Sequence, residues 1–329
     1  MPFIRRINKK APILITAYNR FKNFRKLLLS IKDYKAKIYI SIDGPKNRYD
    51  KLEQSKIINF IRKNKKNFNI RYKILDQNFG CQKAIFSGLD WFFLKEKKGI
   101  ILEDDTLPSP SFFKFTNKLL YKYEKDKSVF SVSGYMPYKK ISIDTDYFFS
   151  KFFMCWGWAT WRSRWIVAKK FTQNNRWTNI LKTKKFNTFL TTDMEKKYFN
   201  KIYKKILSNQ IDSWAFLWLL FGIISNSKFI LPRLNLVKNT GRQTYGANNV
   251  PRKFGILDSG VYALDVKNHP KKNFYNKELD NLIFKETFNA KNLIYPWRAL
   301  FLIKCLFLDP KFFFTKVMIF INRFIKFKQ

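Results

Sequence analysis

Apolar and polar residues alternate with two different periods along the first part of the chain. Four short apolar runs predict strands, at residues 12–16, 37–43, 68–75 and 99–102. Between these runs the apolar residues recur every three or four positions, as at Phe21, Phe24 and Leu28, and predict helices. Because the strands alternate with helices, the pattern predicts a parallel, doubly wound α/β sheet.

Acidic residues stand where two of these strands end. Asp43 closes the second strand, and the stretch GIILEDDTLPSP carries Glu103, Asp104 and Asp105 directly after the fourth. The carboxyl ends of parallel strands meet at one edge of a sheet, where ligands of such folds bind. We therefore expect the four carboxylates to line one cleft.

Three roles are open for the acidic triplet. Its carboxylates can cap the following helix, act as a general acid and base, or hold a hard divalent cation whose other ligands are substrate phosphates. Capping needs one carboxylate only, whereas three together repel one another until a cation that bridges to a diphosphate joins them. For Asp43 the alternative is a turn role, since the sequence DGP is a good turn signal.

The second half of the chain supplies one isolated acid. Asp212 precedes the apolar stretch Trp214–Ser225, which we predict to be a buried helix. This carboxylate can cap that helix, or it can take the proton of a substrate hydroxyl, and the two roles are compatible.

Composition and charge limit the classes of protein. The chain has 329 residues, 46% of them hydrophobic, which is enough for a substantial core. Its net charge of +42 attracts polyanions, but its abundant Lys, Asn, Ile and Phe have A/T-rich codons, so genomic base bias explains the same excess of positive charge.

The three cysteines are far apart and there is one histidine, which argues against a disulfide framework or a Cys/His zinc site and favours a reducing compartment. No run reaches the roughly 18 apolar residues of a membrane span.

Several blocks carry a resemblance to a known family. They are PILITAYNR, SIDGPK, QNFGCQKAIFSGLDWFF and GIILEDDTLPSPSFF, followed by CWGWATWRSRW, IDSWAFLWLLF and LPRLNLVKNTG. In this order and spacing they resemble GT-A glycosyltransferases, and more narrowly bacterial sugar transferases related to the N-acetylglucosaminyltransferases that begin complex N-glycan branching. The resemblance covers roughly residues 10–245 and implies a GT-A, Rossmann-like sheet flanked by helices.

The resemblance also implies roles for the residues at the predicted cleft. Glu103, Asp104 and Asp105 match the EDD form of the family's DxD motif, with Asp105 as the direct ligand of Mn²⁺ or Mg²⁺ and Asp104 nearer the ribose or phosphate. Asp43 matches an acid that contacts the base or ribose, and Arg20 matches a position that lies against the base.

One further position follows from the same resemblance, and another from the chemistry of a helix N-terminus. Asp212 matches the presumed catalytic base, which would take the acceptor proton in an inverting transfer. Lys83, at the start of a helix, is placed to meet a diphosphate, because exposed N–H groups and a cation occur together there.

The resemblance suggests a division of the chain. Residues 10–135 form the nucleotide-sugar-binding half and residues 136–245 the acceptor half, while residues 246–329 form a loop and a basic amphipathic helical tail. Such a tail suits the headgroup layer of an anionic membrane, and packing against the domain is the alternative.

The sequence therefore predicts a metal-dependent, inverting glycosyltransferase. It would move a sugar from a nucleotide-diphosphate donor, with a UDP-sugar favoured, to a cell-surface glycan or lipid-linked acceptor such as a lipopolysaccharide precursor, in the cytoplasm or at the inner face of the plasma membrane. No specific nucleic-acid partner is expected. One alternative is a nucleotidyltransferase that makes sugar nucleotides, although the N-terminus lacks its glycine-rich triphosphate loop. The other is a non-catalytic basic protein that binds RNA or membranes.

Overall fold

The computed structural model describes most of the chain up to residue 288. The described ranges are residues 10–138, 141–172, 177–181, 184–241, 260–272 and 274–288, with single helical positions at 300, 303, 306, 307, 310, 314 and 318. The predicted basic tail therefore lies almost entirely outside the described residues. Within those ranges, no helix is both long enough and apolar enough to cross a membrane.

Strands run through the whole described chain. In chain order they are β1 (Ile13–Ala17), β2 (Lys37–Ile42), β3 (Asn69–Ile74), β4 (Lys98–Glu103), β5 (Thr106–Pro108), β6 (Val129–Ser133), β7 (Tyr147–Ser150), β8 (Trp158–Trp161), β9 (Lys228–Pro232) and β10 (Val237–Asn239).

One eight-stranded sheet organises the fold, in the order β3-β2-β1-β4-β8-β6-β9-β7. The first four strands are mutually parallel, with Ile13 opposite both Ile38 and Ile100. Beyond them β8 is antiparallel to β4 and β6, while β6 and β9 are parallel. The predicted α/β class, with a mostly parallel sheet flanked by helices, is confirmed. The antiparallel strands β7 and β8 were not predicted.

Helices cover the sheet and follow the predicted alternation. They are α1 (Phe21–Ser30), α2 (Arg48–Asn64), α3 (Gly80–Lys95), α4 (Pro110–Lys122), α5 (Arg162–Thr172), α6 (Trp177–Ile180), α7 (Lys184–Phe189), α8 (Asp193–Leu207), α9 (Trp214–Ile224) and α10 (Lys277–Thr287).

Local sequence explains where these helices begin and which face they bury. Helix α4 starts at Pro110, because Ser109 accepts the Phe112 N–H and proline needs no partner in the first turn. Helix α1 buries Phe24 and Leu28, which lie one turn apart. The apolar run that forms α9 is buried along most of its length, which confirms the predicted buried helix.

A buried cluster, here called the clamp cluster, joins β7, α8 and α10 through Lys151, Glu195 and Asp280, each less than a tenth exposed. Lys151 Nζ lies 2.7 Å from Glu195 Oε1 and donates to Oε2 at 2.8 Å. Asp280 accepts from the Ser150 hydroxyl and from the Lys151 N–H. Residues beyond 245 therefore pack on the domain through α10, and the predicted division of the chain stays a prediction.

Candidate active site

The acidic triplet lies at the carboxyl end of β4, in the middle of the sheet. Glu103 is the last residue of β4 and pairs in register with Thr16 of β1. Asp104 is fixed by two bonds to the neighbouring strand end, since its N–H donates to Thr16 O and its Oδ2 accepts from the Tyr18 N–H, both at 3.0 Å. Asp104 and Asp105 are 4% and 7% exposed. The fold thus holds three carboxylates close together and largely out of water.

Burial and mutual repulsion change the acidity of this triplet. Burial, followed by the charges of Asp105 and Asp104, raises the pKa of Glu103 to about 8. Burial and the charge of Asp105 raise the pKa of Asp104 to about 7. Both shifts mean that the ionised forms lack sufficient compensating charge. A further cation would therefore stabilise the triplet in its charged form.

Arg20, directly before α1, places its guanidinium on the triplet. Its Nη1 lies 2.7 Å from Asp105 Oδ2 and 3.5 Å from Asp104 Oδ1. Among the described residues, Arg20 thus supplies the one positive charge that faces the three acids. The structure brings Arg20 into the site, and its predicted contact with a nucleotide base stays a prediction.

One oxygen of Asp105 shows that the triplet fits a cation. Asp105 Oδ1 is buried and, like Glu195 Oε1, has no hydrogen-bond partner among the described residues, which is costly for a carboxylate unless a ligand or an ion pair compensates it. No group of three or more His, Cys, Asp or Glu side chains among the described residues is arranged to hold a metal ion without help. The arrangement suits Mg²⁺ or Mn²⁺ held by one or two carboxylates, with substrate phosphates as further ligands.

Residues after β10 close on Asp105 from the second half of the chain. The N–H and hydroxyl of Thr240 donate to the Asp105 carbonyl oxygen at 2.7 and 3.0 Å. A Cβ on Gly241 would lie 2.0 Å from Asp105 Oδ2, so only glycine fits there. Sequence reasoning included both residues in the block LPRLNLVKNTG but assigned them no role. A contact this distant in sequence leaves no local signal.

Asp43, at the end of β2, holds the turn that precedes α3. Its Oδ1 accepts from the N–H groups of Gly44 and Phe79, both at 2.9 Å, and its Oδ2 accepts from the Asn78 amide at 3.0 Å. Burial raises the pKa of this carboxyl. The geometry matches the turn role that the sequence left open, and contact with the base or ribose stays a prediction.

Asp212 caps a helix, but not the one that follows it in the sequence. Its two carboxylate oxygens accept from the N–H groups of Cys81 and Gln82, at 2.7 and 2.9 Å, in the first turn of α3. The side chain of Phe79, at the N-cap position of α3, makes no capping bond. A Cβ on Gly80 would lie 2.7 Å from Asp212 Oδ2, so glycine gives the carboxylate room. Ser213, not Asp212, stands at the N-cap of α9.

The start of α3 joins these groups into one site. Asp43 binds its residue 79 and Asp212 binds residues 81 and 82. Lys83 is exposed on the same first turn. The N-terminus of α3 therefore contacts one acid from each half of the chain, Asp43 and Asp212.

The tryptophan-rich stretch after β7 serves mainly the core. Trp158, Trp161 and Trp165 are at most 3% exposed, whereas Trp156 is partly exposed and packs on Tyr135. Arg164 is buried, and its guanidinium donates to four backbone carbonyl groups and to the Ser163 hydroxyl. All five of its N–H groups are therefore used within the protein.

Comparisons with known proteins give distant likenesses only. No protein-family profile and no curated protein sequence matches the chain. Among solved structures, the chain is similar to a mannosyltransferase from Pyrobaculum calidifontis in complex with GDP-Man and Mn²⁺, at 13% identity and a TM-score of 0.37, over 50% of this chain and 48% of that one. It is similar to GalNAc-T7 with UDP, GalNAc and Mn²⁺, at 11% identity and a TM-score of 0.45, over 77% and 47% of the two chains.

A third structure is HddC from Yersinia pseudotuberculosis, at 14% identity and a TM-score of 0.32, over 46% of this chain and 77% of that one. The aligned region spans about half the length of each of the first two proteins. At these TM-scores the likenesses carry no argument about activity, which must be inferred from the geometry of this chain's own site.

Proposed function

We propose that the protein is a metal-dependent, inverting glycosyltransferase that moves a sugar from a nucleotide-diphosphate donor to a glycan or lipid-linked acceptor. The observation that carries this proposal is the buried oxygen of Asp105 without a hydrogen-bond partner, in an acidic triplet at the ligand-binding edge of the sheet. The cation that accompanies a nucleotide diphosphate would supply the missing positive charge, and the phosphate oxygens would supply further ligands of that cation.

The donor side of the site follows from this placement. Asp105 would hold the cation, with Asp104 nearer the ribose or phosphate, and the cation when bound would neutralise the diphosphate as it leaves. Arg20 Nη1 lies 2.7 Å from Asp105 Oδ2. When the donor binds, this guanidinium would exchange its ion pair with the carboxylates for one with the diphosphate. Asp43 holds the conformation of the turn before α3 through its bonds to Asn78 and Phe79, and this turn would contact the donor. Among donors, a UDP-sugar is the one that we favour.

The acceptor side follows from Asp212. The acceptor oxygen attacks the anomeric carbon while the bond from that carbon to the diphosphate oxygen breaks. The proton of the acceptor hydroxyl passes to the Asp212 carboxylate, and the nucleoside diphosphate leaves with its electron pair. Two N–H groups of α3 fix the orientation of this carboxylate, which a base needs for attack from one face.

Thermal unfolding with candidate donors tests the proposal. The melting temperature is measured with UDP-, GDP-, CMP- and dTDP-sugars, each with Mn²⁺ and with EDTA, for wild type, Asp105→Asn and the control Asp33→Asn. Asp33 is an exposed acid near the opposite end of the sheet. A ligand that binds the folded state raises its melting temperature. We expect one nucleotide class to do so only with Mn²⁺, in wild type and Asp33→Asn but not in Asp105→Asn.

The outcomes separate the alternatives. No shift with any nucleotide overturns the proposal and leaves the basic surface as the functional feature. Release of pyrophosphate from a nucleoside triphosphate and a sugar 1-phosphate would assign the site to a nucleotidyltransferase. Asp212→Asn should keep the donor-induced shift and lose transfer by about 10²–10⁴-fold, as expected for a general base.

A further inference from the structure

Helix α8 presents a basic face to solvent a few residues before Asp212 in the chain. Its apolar side is buried through Tyr198, Phe199, Ile202, Tyr203 and Ile206. Its other side borders a groove of about 360 Å³, a size within the range of small-ligand sites. The residues lining the groove are Lys197, Asn200, Lys201, Lys204, Lys205, Ser208 and Gln210.

The groove gathers positive charge and neutral hydrogen-bonding groups. Four of its seven described lining residues are lysines and none is acidic. Lys197 and Lys204 are exposed, two turns apart on the same face of the helix. Ammonium groups placed together repel one another until an anion joins them, and a phosphate accepts hydrogen bonds from several lysines at once.

The chain leads directly from this groove to the candidate base. Helix α8 ends with a reversal at Asn209, which has a positive φ of 53°, and the Gln210 N–H bonds to the Lys205 carbonyl at 2.8 Å. Asp212 follows two residues later, so its Cα lies within about 7 Å of the Cα of Gln210. The groove residues therefore end two positions before Asp212 in the chain, whereas the acidic triplet lies at the end of β4.

We propose that the groove binds a phosphate or diphosphate group carried by the acceptor. This inference rests on the proposed function, because it assigns the acidic triplet to the donor and the lysines of α8 to the acceptor, with Asp212 as the base between the two substrates. The donor diphosphate needs a cation to bind beside three carboxylates. A phosphate on the acceptor would instead bind the lysines directly and hold the attacking hydroxyl near the Asp212 carboxylate. The acceptor class is thus a phosphorylated glycan or a glycan linked to lipid through diphosphate.

Calorimetric titration with inorganic pyrophosphate in EDTA isolates the groove, because without a cation the acidic triplet repels the probe. The test variant is Lys197→Ala/Lys204→Ala, and the matched control is Lys51→Ala/Lys63→Ala, which removes two exposed charges from α2. We expect the test variant to lose at least about tenfold in affinity, since it removes two charged donors. The control should bind like wild type.

An equal affinity in wild type and Lys197→Ala/Lys204→Ala would overturn the inference, and so would an equal loss in the control. Donor-induced thermal shifts of the same test variant report on the proposed function separately, since the acidic triplet is intact. Geranyl diphosphate distinguishes the two sources of the phosphate. Lysine-dependent binding tighter than that of pyrophosphate indicates a lipid-linked acceptor, and equal binding indicates a soluble phosphorylated glycan.

Discussion

Two buried clusters of acids, the clamp cluster and the acidic triplet, differ in how completely the protein compensates them. In the clamp cluster, Lys151 lies within 2.8 Å of both oxygens of Glu195, and the Thr191 N–H donates to the same carboxylate. In the triplet, Arg20 is the only cation among the described residues that pairs with the three acids. Asp105 Oδ1 and Glu195 Oε1 both lack a hydrogen-bond partner in the described part of the chain, so the two clusters differ in their ratio of cations to acids.

Under the proposed function, the difference separates a cluster that holds elements together from one that binds a ligand. Buried charges that are paired and hydrogen-bonded hold elements together, and removing one partner leaves the other uncompensated. Buried charges left without a partner reduce stability unless a ligand joins them. The clamp cluster should therefore respond to mutation through stability, and the triplet through binding.

The largest expected effect comes from breaking the clamp cluster. Lys151→Met leaves Glu195 buried without its cation, and we expect the free energy of unfolding to fall by about 3–5 kcal/mol. Urea titration measures this change. Lys169→Met, which removes an exposed lysine paired with Asp90, should cost no more than about 1 kcal/mol. Equal costs for the two variants would contradict the role assigned to the clamp.

Crowding the triplet should have the next largest effect. Gly241→Ala places a methyl group against the Asp105 carboxylate, and we expect a cost of about 1–3 kcal/mol from overpacking. Displacement of the carboxylate should also remove the Mn²⁺-dependent thermal shift with the donor. A variant that retains the full shift would show that Asp105 does not need its present position.

The clamp cluster should also make stability depend on pH. Burial raises the pKa of Asp280 to about 7, from an ordinary value of 3.8. The folded state thus holds the proton more tightly than the unfolded chain, so this group's contribution to stability is present at low pH and is lost as pH rises from about 4 to 7.

Asp280→Asn should flatten that dependence, because an amide does not titrate in this range. Urea titrations of both proteins between pH 4.5 and about 7.5 measure the difference in slope. Parallel curves would show that Asp280 remains ionised throughout.

The smallest effect on stability is expected at the triplet itself. Asp105→Asn removes both a repelling charge and a partly exposed ion pair with Arg20. Because these changes oppose each other, we expect the free energy of unfolding without ligand to change by less than about 1 kcal/mol. A loss as large as that of Lys151→Met would mean that the triplet is structural.

Local periodicity was enough to predict the first half of the fold. The strands that end near Asp43 and Glu103 are short apolar runs between amphipathic helices, and parallel order then places both strand ends at one edge of the sheet. The Trp214–Ile224 helix was equally predictable from the sequence, since an apolar run of that length forms a buried helix.

The contacts that complete the site were not predictable in the same way. Asp212 was expected to cap its own helix or act as a base, yet it caps α3, and Gly241 lies against Asp105 from a distant strand. Such pairings depend on how β8, β6 and β9 join the sheet, and no residue-to-residue spacing along the chain encodes that order.

The bond between Asp212 and α3 also has a consequence for protein synthesis. Asp212 follows Cys81 by 131 residues, an interval of roughly 7 to 26 seconds at about 5–20 residues per second. During that time the first half has emerged with the α3 N-terminus uncapped and the candidate base still to be made. A chain truncated before residue 212 therefore lacks the cap of α3 and the candidate base, even when its acidic triplet is complete.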